Sequence, residues 1–271
     1  MEDYVRLFER AFAAARPRAH LHLYRTLWEN DAAYLEKPVL RRARAILESG
    51  RRAASDDSAV QARLDRIEAG LNYTELFYYE QPGRRMMKGS SMTCPVSPRR
   101  RTLARRLFTF AGRNGFTHYG EDYGRYTSFG ELRHVWLDSI GTHPVVRLES
   151  PRSVATVVPA LGGRLVAYGP AGGKINCLGA SAPGTFGYPC AGGYEEYTKR
   201  VHQSPGFSSA FRVGRRSRKS VSLAATVETG LELSRSVTLR DSDGSVEIRT
   251  RLSNPHDLPL EACLRAHLEI T

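Results

Sequence analysis

The chain has 271 residues, of which 41% are apolar and 25% are charged. This length and composition are typical of a soluble globular protein with two domains or one large one. No run of about 18 apolar residues occurs, which excludes a transmembrane helix, and the many charged side chains near the start exclude an N-terminal signal peptide. We therefore expect a soluble chain with no membrane partner, cytoplasmic by default, and the compartment of a longer parent protein stays unknown.

The formal net charge is +12 at pH 7, and only five of the 40 basic residues are lysines. The arginines are spread along the chain, with local clusters at Arg99–Arg101 and Arg215–Arg218. No aromatic residues alternate with these clusters to stack on bases, so a solvated basic surface is favoured and no nucleic-acid partner is expected. A basic domain that binds polyanions remains a distant alternative.

The four cysteines, Cys94, Cys177, Cys190 and Cys263, are too far apart for a CxxC pair. This spacing argues against a zinc site, and no cofactor is predicted. Cys177 and Cys190 could close a loop through a disulfide, but spacing alone leaves that pairing open against four reduced cysteines.

The first part of the chain has apolar residues at helical spacing, bounded by proline and glycine signals. This pattern predicts four helices, at residues 2–17, 37–50, 55–83 and 98–115. The second helix is expected to begin near Pro38 and to stop at Gly50. Three of these helices suit an antiparallel bundle, and we assign residues 1–115 to a helical domain.

Residues 116–143 are rich in glycine and tyrosine and are assigned as a connector, whose aromatic side chains would pack two domains together. From Pro144 the pattern changes to an alternation with period two, broken by Gly, Pro, Asn and Asp. Asp243-Gly244 predicts a hairpin turn between two of these strands. Residues 144–271 are therefore predicted to form an antiparallel β-sandwich. The fold class is α+β: an N-terminal helical bundle followed by this sandwich.

The stretch GGYEEYTKRVH combines carboxylates and aromatic rings after a glycine-rich loop that runs from Gly179 to Gly193. Carboxylates accept hydrogen bonds from sugar hydroxyls, aromatic faces pack on sugar rings, and loops on a rigid sheet often carry binding sites. The stretch is thus a candidate sugar-binding loop, and the alternative is a solvent-facing loop with two anchoring tyrosines. Its candidate residues are Tyr194, Glu195, Glu196, Tyr197 and His202.

The last predicted strand, PLEACLRAHLEIT, places Leu260, Leu264 and Ala266 on one face and Arg265 and His267 on the other. A histidine here could act as an acid, bind a ligand or lie partly in the core, and the last role is the usual one for a lone histidine. Arg265 and His267 complete the set of candidate sugar-binding residues, and no metal site is predicted.

The segments LGGRLVAYGP and LELSRSVTLRDSDGSVEIRTRLSNPHDLPLEACLRAHLEIT resemble the first half of the galactose-mutarotase-like (aldose epimerase-like) supersandwich. The resemblance covers residues 145–271 and implies a partial, truncated supersandwich. The last strand would then lie at a sheet edge, with His267 accessible to solvent. The matching residues are Gly162, Gly163, Arg164, Asn254, Pro259, Leu260 and His267.

Residues 1–80 resemble the helical region that follows the barrel in hexosaminidase-like or glucuronidase-like bacterial proteins. The pattern that carries this resemblance is RPRAHLHLYRTLWE, LRRARAILESGRRAA and VQARLDRIEAGLNYTELF, in that order. Together the two resemblances imply a piece of a larger carbohydrate-active protein. The implied partners are a carbohydrate and a missing upstream barrel domain of the same parent chain.

In the epimerases that the C-terminal half resembles, the strand histidine, here His267, acts as an acid on the sugar ring oxygen. The places of the family's partner histidine and arginine are taken by Pro205 and Ser209, and the family's glutamate base would follow Thr271. General acid–base catalysis needs both groups in place. The expected function is therefore a non-catalytic carbohydrate-recognition and accessory module of a glycoside-hydrolase-like protein, with no catalytic residue. An aldose epimerase-type enzyme is the main alternative.

Overall fold

The computed structural model describes residues 2–15, 33–80, 85–122, 125–128, 133, 137, 141–179, 192–197, 209–227, 230–260, 262, 264–268 and 270. The chain divides into two compact units, each built from two stretches of sequence. The first unit comprises Met1–Gln81 and Ser97–Arg133, and the second comprises Pro82–Val96 and His134–Thr271.

The first unit contains the helices of the N-terminal half. Helix α2 packs against α1 and α3, and α3 also packs against α4. None of the described helices is long and apolar enough to cross a membrane. The helices are α1 (Glu2–Ala15), a short 3-10 helix (Ala33–Leu35), α2 (Lys37–Ala53), α3 (Ser58–Tyr78) and α4 (Pro98–Arg113).

Polar side chains cap the starts of α3 and α4. The Asp57 carboxylate accepts hydrogen bonds from the backbone amides of Ala59 and Val60, which have no partner inside the helix. The Ser97 hydroxyl accepts from the backbone amide of Arg100 in the same way. Both caps satisfy amide groups that the first helical turn would otherwise leave unpaired.

Helix α2 does not stop at Gly50, so that expectation is wrong. The helix continues to Ala53, and Gly50 lies inside it beside the side chain of Leu64. A glycine in a helix is only about 1 kcal/mol less favourable than an alanine. Burial of the adjacent Leu47 against α3 residues outweighs that difference. The apolar core that α2 and α3 share with the 3-10 helix is made of Leu35, Leu40, Ala43, Leu47, Leu64 and Leu71.

The second half of the chain forms short antiparallel strands in two sheets that face each other. The five-stranded sheet has the order β14-β9-β8-β7-β6, and the four-stranded sheet is the meander β10-β11-β12-β13. Their strands are β6 (Val146–Glu149), β7 (Ser153–Val158), β8 (Arg164–Pro170), β9 (Tyr194–Tyr197), β10 (Arg212–Arg216), β11 (Ser220–Thr226), β12 (Glu232–Leu239), β13 (Val246–Ser253) and β14 (Arg265–Leu268).

One apolar core fills the space between these two sheets. Leu148, Val157 and Leu165 come from the five-stranded sheet, and Leu223 and Leu233 come from the four-stranded sheet. All five side chains are at most 2% exposed. The alternation of buried and exposed positions along each strand therefore produces a sandwich, and the predicted α+β class is confirmed.

The hairpin between β12 and β13 forms where Asp243-Gly244 indicated it. The Asp243 carboxylate accepts hydrogen bonds from the amide and hydroxyl of Ser245. Gly244 has a φ of +77°, a conformation that residues with a side chain rarely adopt. Turn chemistry alone was sufficient to place this hairpin.

Several short strands occur where the sequence indicated helix or connector. Within residues 1–115, β1 (Met86–Lys88) and β2 (Ser91–Cys94) form a hairpin, and β2 also pairs with β5 (Gly141–Pro144). Within the connector, β3 (His118–Asp122) pairs with β4 (Arg125–Ser128). The pairing of β2 with β5 is long-range, which explains why residues 82–96 belong to the second unit.

Candidate functional site

Strand β9 carries four of the candidate sugar-binding residues. The sequence placed them in a loop, which is wrong, because β9 pairs with β8 through Leu165 and Tyr194 and with β14 along its whole length. Successive side chains of a strand point to opposite faces of the sheet. Glu195 and Glu196 therefore lie on opposite faces and do not form one binding site.

Glu196 faces the interior of the sandwich, with 3% of its side chain exposed. Its Oε2 accepts a hydrogen bond from Arg235 Nη2 at 2.7 Å. Its Oε1 accepts from the Tyr194 hydroxyl at 2.6 Å and from the Thr250 hydroxyl at 2.7 Å. Burial, followed by the hydrogen bond to Glu196, raises the pKa of Tyr194 above its usual value. We interpret Glu196 and Tyr194 as anchors that join the two sheets.

Arg235 of β12 completes this internal anchor. Its Nη1 donates hydrogen bonds to the carbonyl oxygens of Gly162 and Gly163 at 2.9 and 2.8 Å, and its guanidinium lies 4.7 Å from the Phe211 ring centroid. Gly163 has a φ of +57°, and a Cβ atom there would lie 2.9 Å from Arg235 Nη1. The paired glycines of the LGGR motif therefore allow the backbone to approach and hold the buried guanidinium.

Glu195 points to the other face of the five-stranded sheet and is also only 3% exposed. Its Oε1 accepts a hydrogen bond from the Gly192 backbone amide at 2.7 Å and lies 3.4 Å from Arg164 Nη1. Arg164 begins β8 and is 1% exposed. An isolated buried charge is strongly unfavourable, and each of these two groups compensates the charge of the other. The Glu195 carboxylate is thus held at a fixed place beneath the surface of the sheet.

His267 lies directly opposite Glu195 in the pairing of β14 with β9. Its Nδ1 is 3.9 Å from Glu195 Oε2, and 36% of its side chain is exposed. The Nδ1 atom itself is buried, so the exposed surface belongs to the other ring atoms. The Nδ1 edge of the imidazole therefore faces the Glu195 carboxylate, and other atoms of the side chain reach the surface.

Arg265 precedes His267 by two residues on β14, so both side chains lie on the same face. Arg265 is exposed and lies opposite Tyr197 in the strand pairing. The Tyr197 side chain and the whole of His202 lie outside the described residues. The structure thus brings Arg265, His267 and Glu195 together on one sheet face.

Two buried arginines, Arg164 and Arg235, were missed as partners of the candidate carboxylates. A signal was present, because Arg235 occupies an inward position between Leu233 and Val237 in the apolar stripe of β12. A charged residue in such a stripe needs a buried partner of opposite charge. The sequence could not identify Glu196 as that partner, since 39 residues separate the two.

The described residues contain no group of three or more His, Cys, Asp or Glu side chains placed to hold a metal ion. Cys177 carries a free thiol, and Cys190 lies outside the described residues.

No protein-family model and no curated protein sequence matches this chain. Among solved structures, it is similar to a 4-alpha-glucanotransferase from Thermococcus litoralis, with 12% sequence identity and a TM-score of 0.29. The similarity covers 93% of this chain and 41% of that chain, so this chain spans less than half the length of the enzyme. At this TM-score the two structures do not share a demonstrated fold, and no role is transferred from it to any residue.

Proposed function

We propose that this chain is a non-catalytic carbohydrate-recognition and accessory module. The observation that carries the proposal is the arrangement at the edge of the five-stranded sheet, where the partly exposed His267 lies 3.9 Å from the buried Glu195 carboxylate. The buried Arg164 forms an ion pair with that carboxylate and holds it in place. The partly exposed imidazole and the exposed Arg265 place polar groups of two kinds at this surface, where a polar ligand could contact them.

Sugar hydroxyls fit the polar groups on this face. A hydroxyl both donates and accepts hydrogen bonds, an imidazole nitrogen can take either role, and the exposed Arg265 adds donors only. The donors of Arg265 and a ring atom of His267 would bind neighbouring hydroxyls or a sugar carboxylate. The two residues stand two positions apart on one strand, a spacing of about 7 Å along the strand.

The parent-protein context is part of the same proposal. The LGGR and PLEACLRAH motifs support a mutarotase-like sandwich, and the N-terminal pattern supports a helical region that follows a hydrolase barrel. The accessory role would consist of presenting the sheet edge around His267 to a sugar while another domain performs the chemistry.

Isothermal titration against a panel of neutral and acidic oligosaccharides tests the proposal. We expect a ligand in the panel whose affinity falls about tenfold or more in His267→Ala and in Arg265→Ala, because each loses a hydrogen bond to the sugar. Arg251→Ala is the matched control: this arginine is exposed on β13 of the other sheet and should leave the affinity unchanged. Absence of binding across the panel, or an equal loss in the control, would contradict the proposal.

An epimerase-type activity is the second candidate, and one observation favours it: the carboxylate of Glu195 lies beside the imidazole of His267. Glu195 is only 3% exposed and is engaged by Arg164, so it is poorly placed to exchange a proton with a sugar. We therefore expect no acceleration of anomer exchange, measured by exchange NMR on fresh glucose and galactose. Acceleration that disappears in His267→Ala would favour the enzyme over the binding module.

A further inference from the structure

The helical unit contains a groove of about 660 Å³ between α2, α3 and α4. This volume is in the range of small-molecule sites, about 300–1,000 Å³. Ala69 of α3 lies in it with 9% of its surface exposed, and Leu47 of α2 with 4%. Small and apolar side chains thus form part of the lining, and longer polar side chains from all three helices surround them.

Positive charge dominates the α4 side of this groove. Helix α4 contains six arginines and no acidic residue. Three of them, Arg105, Arg106 and Arg113, line the groove together with Thr109 and Phe110. The positive charge on the α4 side of the groove can be neutralised only by residues of other helices or by a ligand.

Three acidic residues line the groove: Glu48 lies on α2, and Asp65 and Glu68 of α3 are engaged by arginines. Arg51 Nη2 lies 2.6 Å from Asp65 Oδ1 and 2.7 Å from Glu68 Oε2. Arg106 Nη1 lies 3.2 Å from the second oxygen of Glu68, and Arg44 Nη1 lies 4.0 Å from the same atom. Glu68 is therefore shared by three arginines. This network fixes the α3 side of the groove, and of the three α4 arginines in the groove it engages Arg106.

Arg105 and Arg113 have no ion-pair partner among the described residues. They stand four residues on either side of Thr109, so all three share one stripe of α4. Each arginine Cα lies about 6 Å from that of Thr109 along the helix axis, a distance that an extended arginine side chain spans. Arg105, Thr109 and Arg113 therefore line the same side of the groove.

We propose that this groove binds a small molecule that carries a phosphate group. Arg105 and Arg113 hold the phosphate by charge-assisted hydrogen bonds, which match the oxygen geometry of a phosphate, and Thr109 donates a third. Phe110 and Leu47 contact the apolar part of the ligand. The short, three-walled shape and the lack of a row of aromatic side chains favour a small molecule over a nucleic-acid strand.

The test titrates inorganic pyrophosphate, as the probe, into the full chain and measures its binding by calorimetry at constant ionic strength. The test variant is Arg105→Gln/Arg113→Gln. The matched control is Arg41→Gln/Arg101→Gln, which removes the same charge from exposed positions of α2 and α4 outside the groove. Thermal unfolding of both variants establishes that they fold.

We expect the wild-type chain and the control to bind pyrophosphate with similar affinity, and the test variant to bind about tenfold or more weakly. A folded Thr109→Val variant should show a smaller loss, since it removes one neutral donor. Equal weakening in test and control variants would show a diffuse charge effect and overturn the proposal. Lack of pyrophosphate binding by the wild type overturns it as well. So does a 20-nucleotide single-stranded DNA that binds more tightly than pyrophosphate and whose binding depends on Arg105 and Arg113.

Discussion

Arg235 and Glu196 form an ion pair inside the sandwich, with Nη2 and Oε2 2.7 Å apart and 1% and 3% of the two side chains exposed. Arg235 belongs to the four-stranded sheet and Glu196 to the five-stranded sheet. The pair therefore links the two layers through charge, where the surrounding core links them through apolar contact. Removal of either partner leaves a buried charge without compensation.

Arg235→Met should lower the free energy of unfolding by about 3–5 kcal/mol, because Glu196 then stays buried without its cation. The double variant Arg235→Met/Glu196→Leu should lose less than the sum of the two single changes, since neither charge remains. Urea unfolding of the four proteins measures both quantities.

The exposed pair of Lys219 and Asp241 is the control for this cycle. Nζ and Oδ2 are 2.6 Å apart, but about half of each side chain is exposed, at 50% and 51%. Asp241→Asn should change the unfolding free energy by less than about 1 kcal/mol. An effect of Arg235→Met as small as this would show that the buried pair does not join the sheets as we describe.

Gly193 precedes β9 and should tolerate no side chain. Its φ is +83°, and a Cβ atom would overlap the carbonyl oxygen of Leu165 on the neighbouring strand. Gly115 has a φ of +66°, and a Cβ atom added there would meet nothing within 4 Å, so this position isolates the backbone strain. Gly115→Ala should cost about 1–2 kcal/mol, and Gly193→Ala about 2–5 kcal/mol, because overpacking is added to strain. Thermal unfolding that ranks the two equally would contradict this account of the β8–β9 contact.

Tyr4 should make stability depend on alkaline pH. Burial raises its pKa to about 12, against a usual value of 10.0, and Arg44 opposes this rise. A raised folded-state pKa gives stability that is fully present below the unfolded-state pKa. That contribution declines from about pH 10 as the unfolded phenol ionises, and it is lost as the pH passes about 12.

Urea unfolding of wild type and Tyr4→Phe between pH 8 and pH 12 measures this contribution. The wild type should lose stability more steeply above pH 10 than the variant, which has no ionisable group at this position. Parallel curves over this range would show that the phenol of Tyr4 is not buried in the folded state.

The edge strand β14 should promote association of the chain. It pairs with β9 on one side; Leu268 in the strand is 50% exposed, and Leu264 directly before the strand is 43% exposed. Such edges recruit other strands, and lysine substitutions prevent this. Light scattering should show concentration-dependent association of the wild type and its suppression in Leu264→Lys/Leu268→Lys. Leu258→Lys, at an exposed position outside the strand, should have little effect, and a wild type that stays monomeric at high concentration would argue against the edge as an interface.

Local sequence patterns determined much of this fold. The 3.6-residue and two-residue periods predicted the helices and most of the sandwich strands, and Asp243-Gly244 predicted its hairpin. These features depend on neighbours in the chain, so they can be read from a short window. The placement of His267 and Arg265 on one face of a strand also followed from alternation alone.

Tertiary structure decided what the candidate carboxylates do. Residues 194–197 look like a loop because they follow a glycine-rich stretch, and they become a strand only through pairing with β8 and β14. That pairing sends Glu196 to Arg235 and Glu195 to Arg164 and His267. A buried charge is tolerated only beside its counter-charge, and these partners lie 31 to 72 positions apart in sequence. Partners so far apart never fall within one short window of sequence. Only the folded chain therefore distinguishes the carboxylate that joins the two sheets from the carboxylate that lies beside the edge strand.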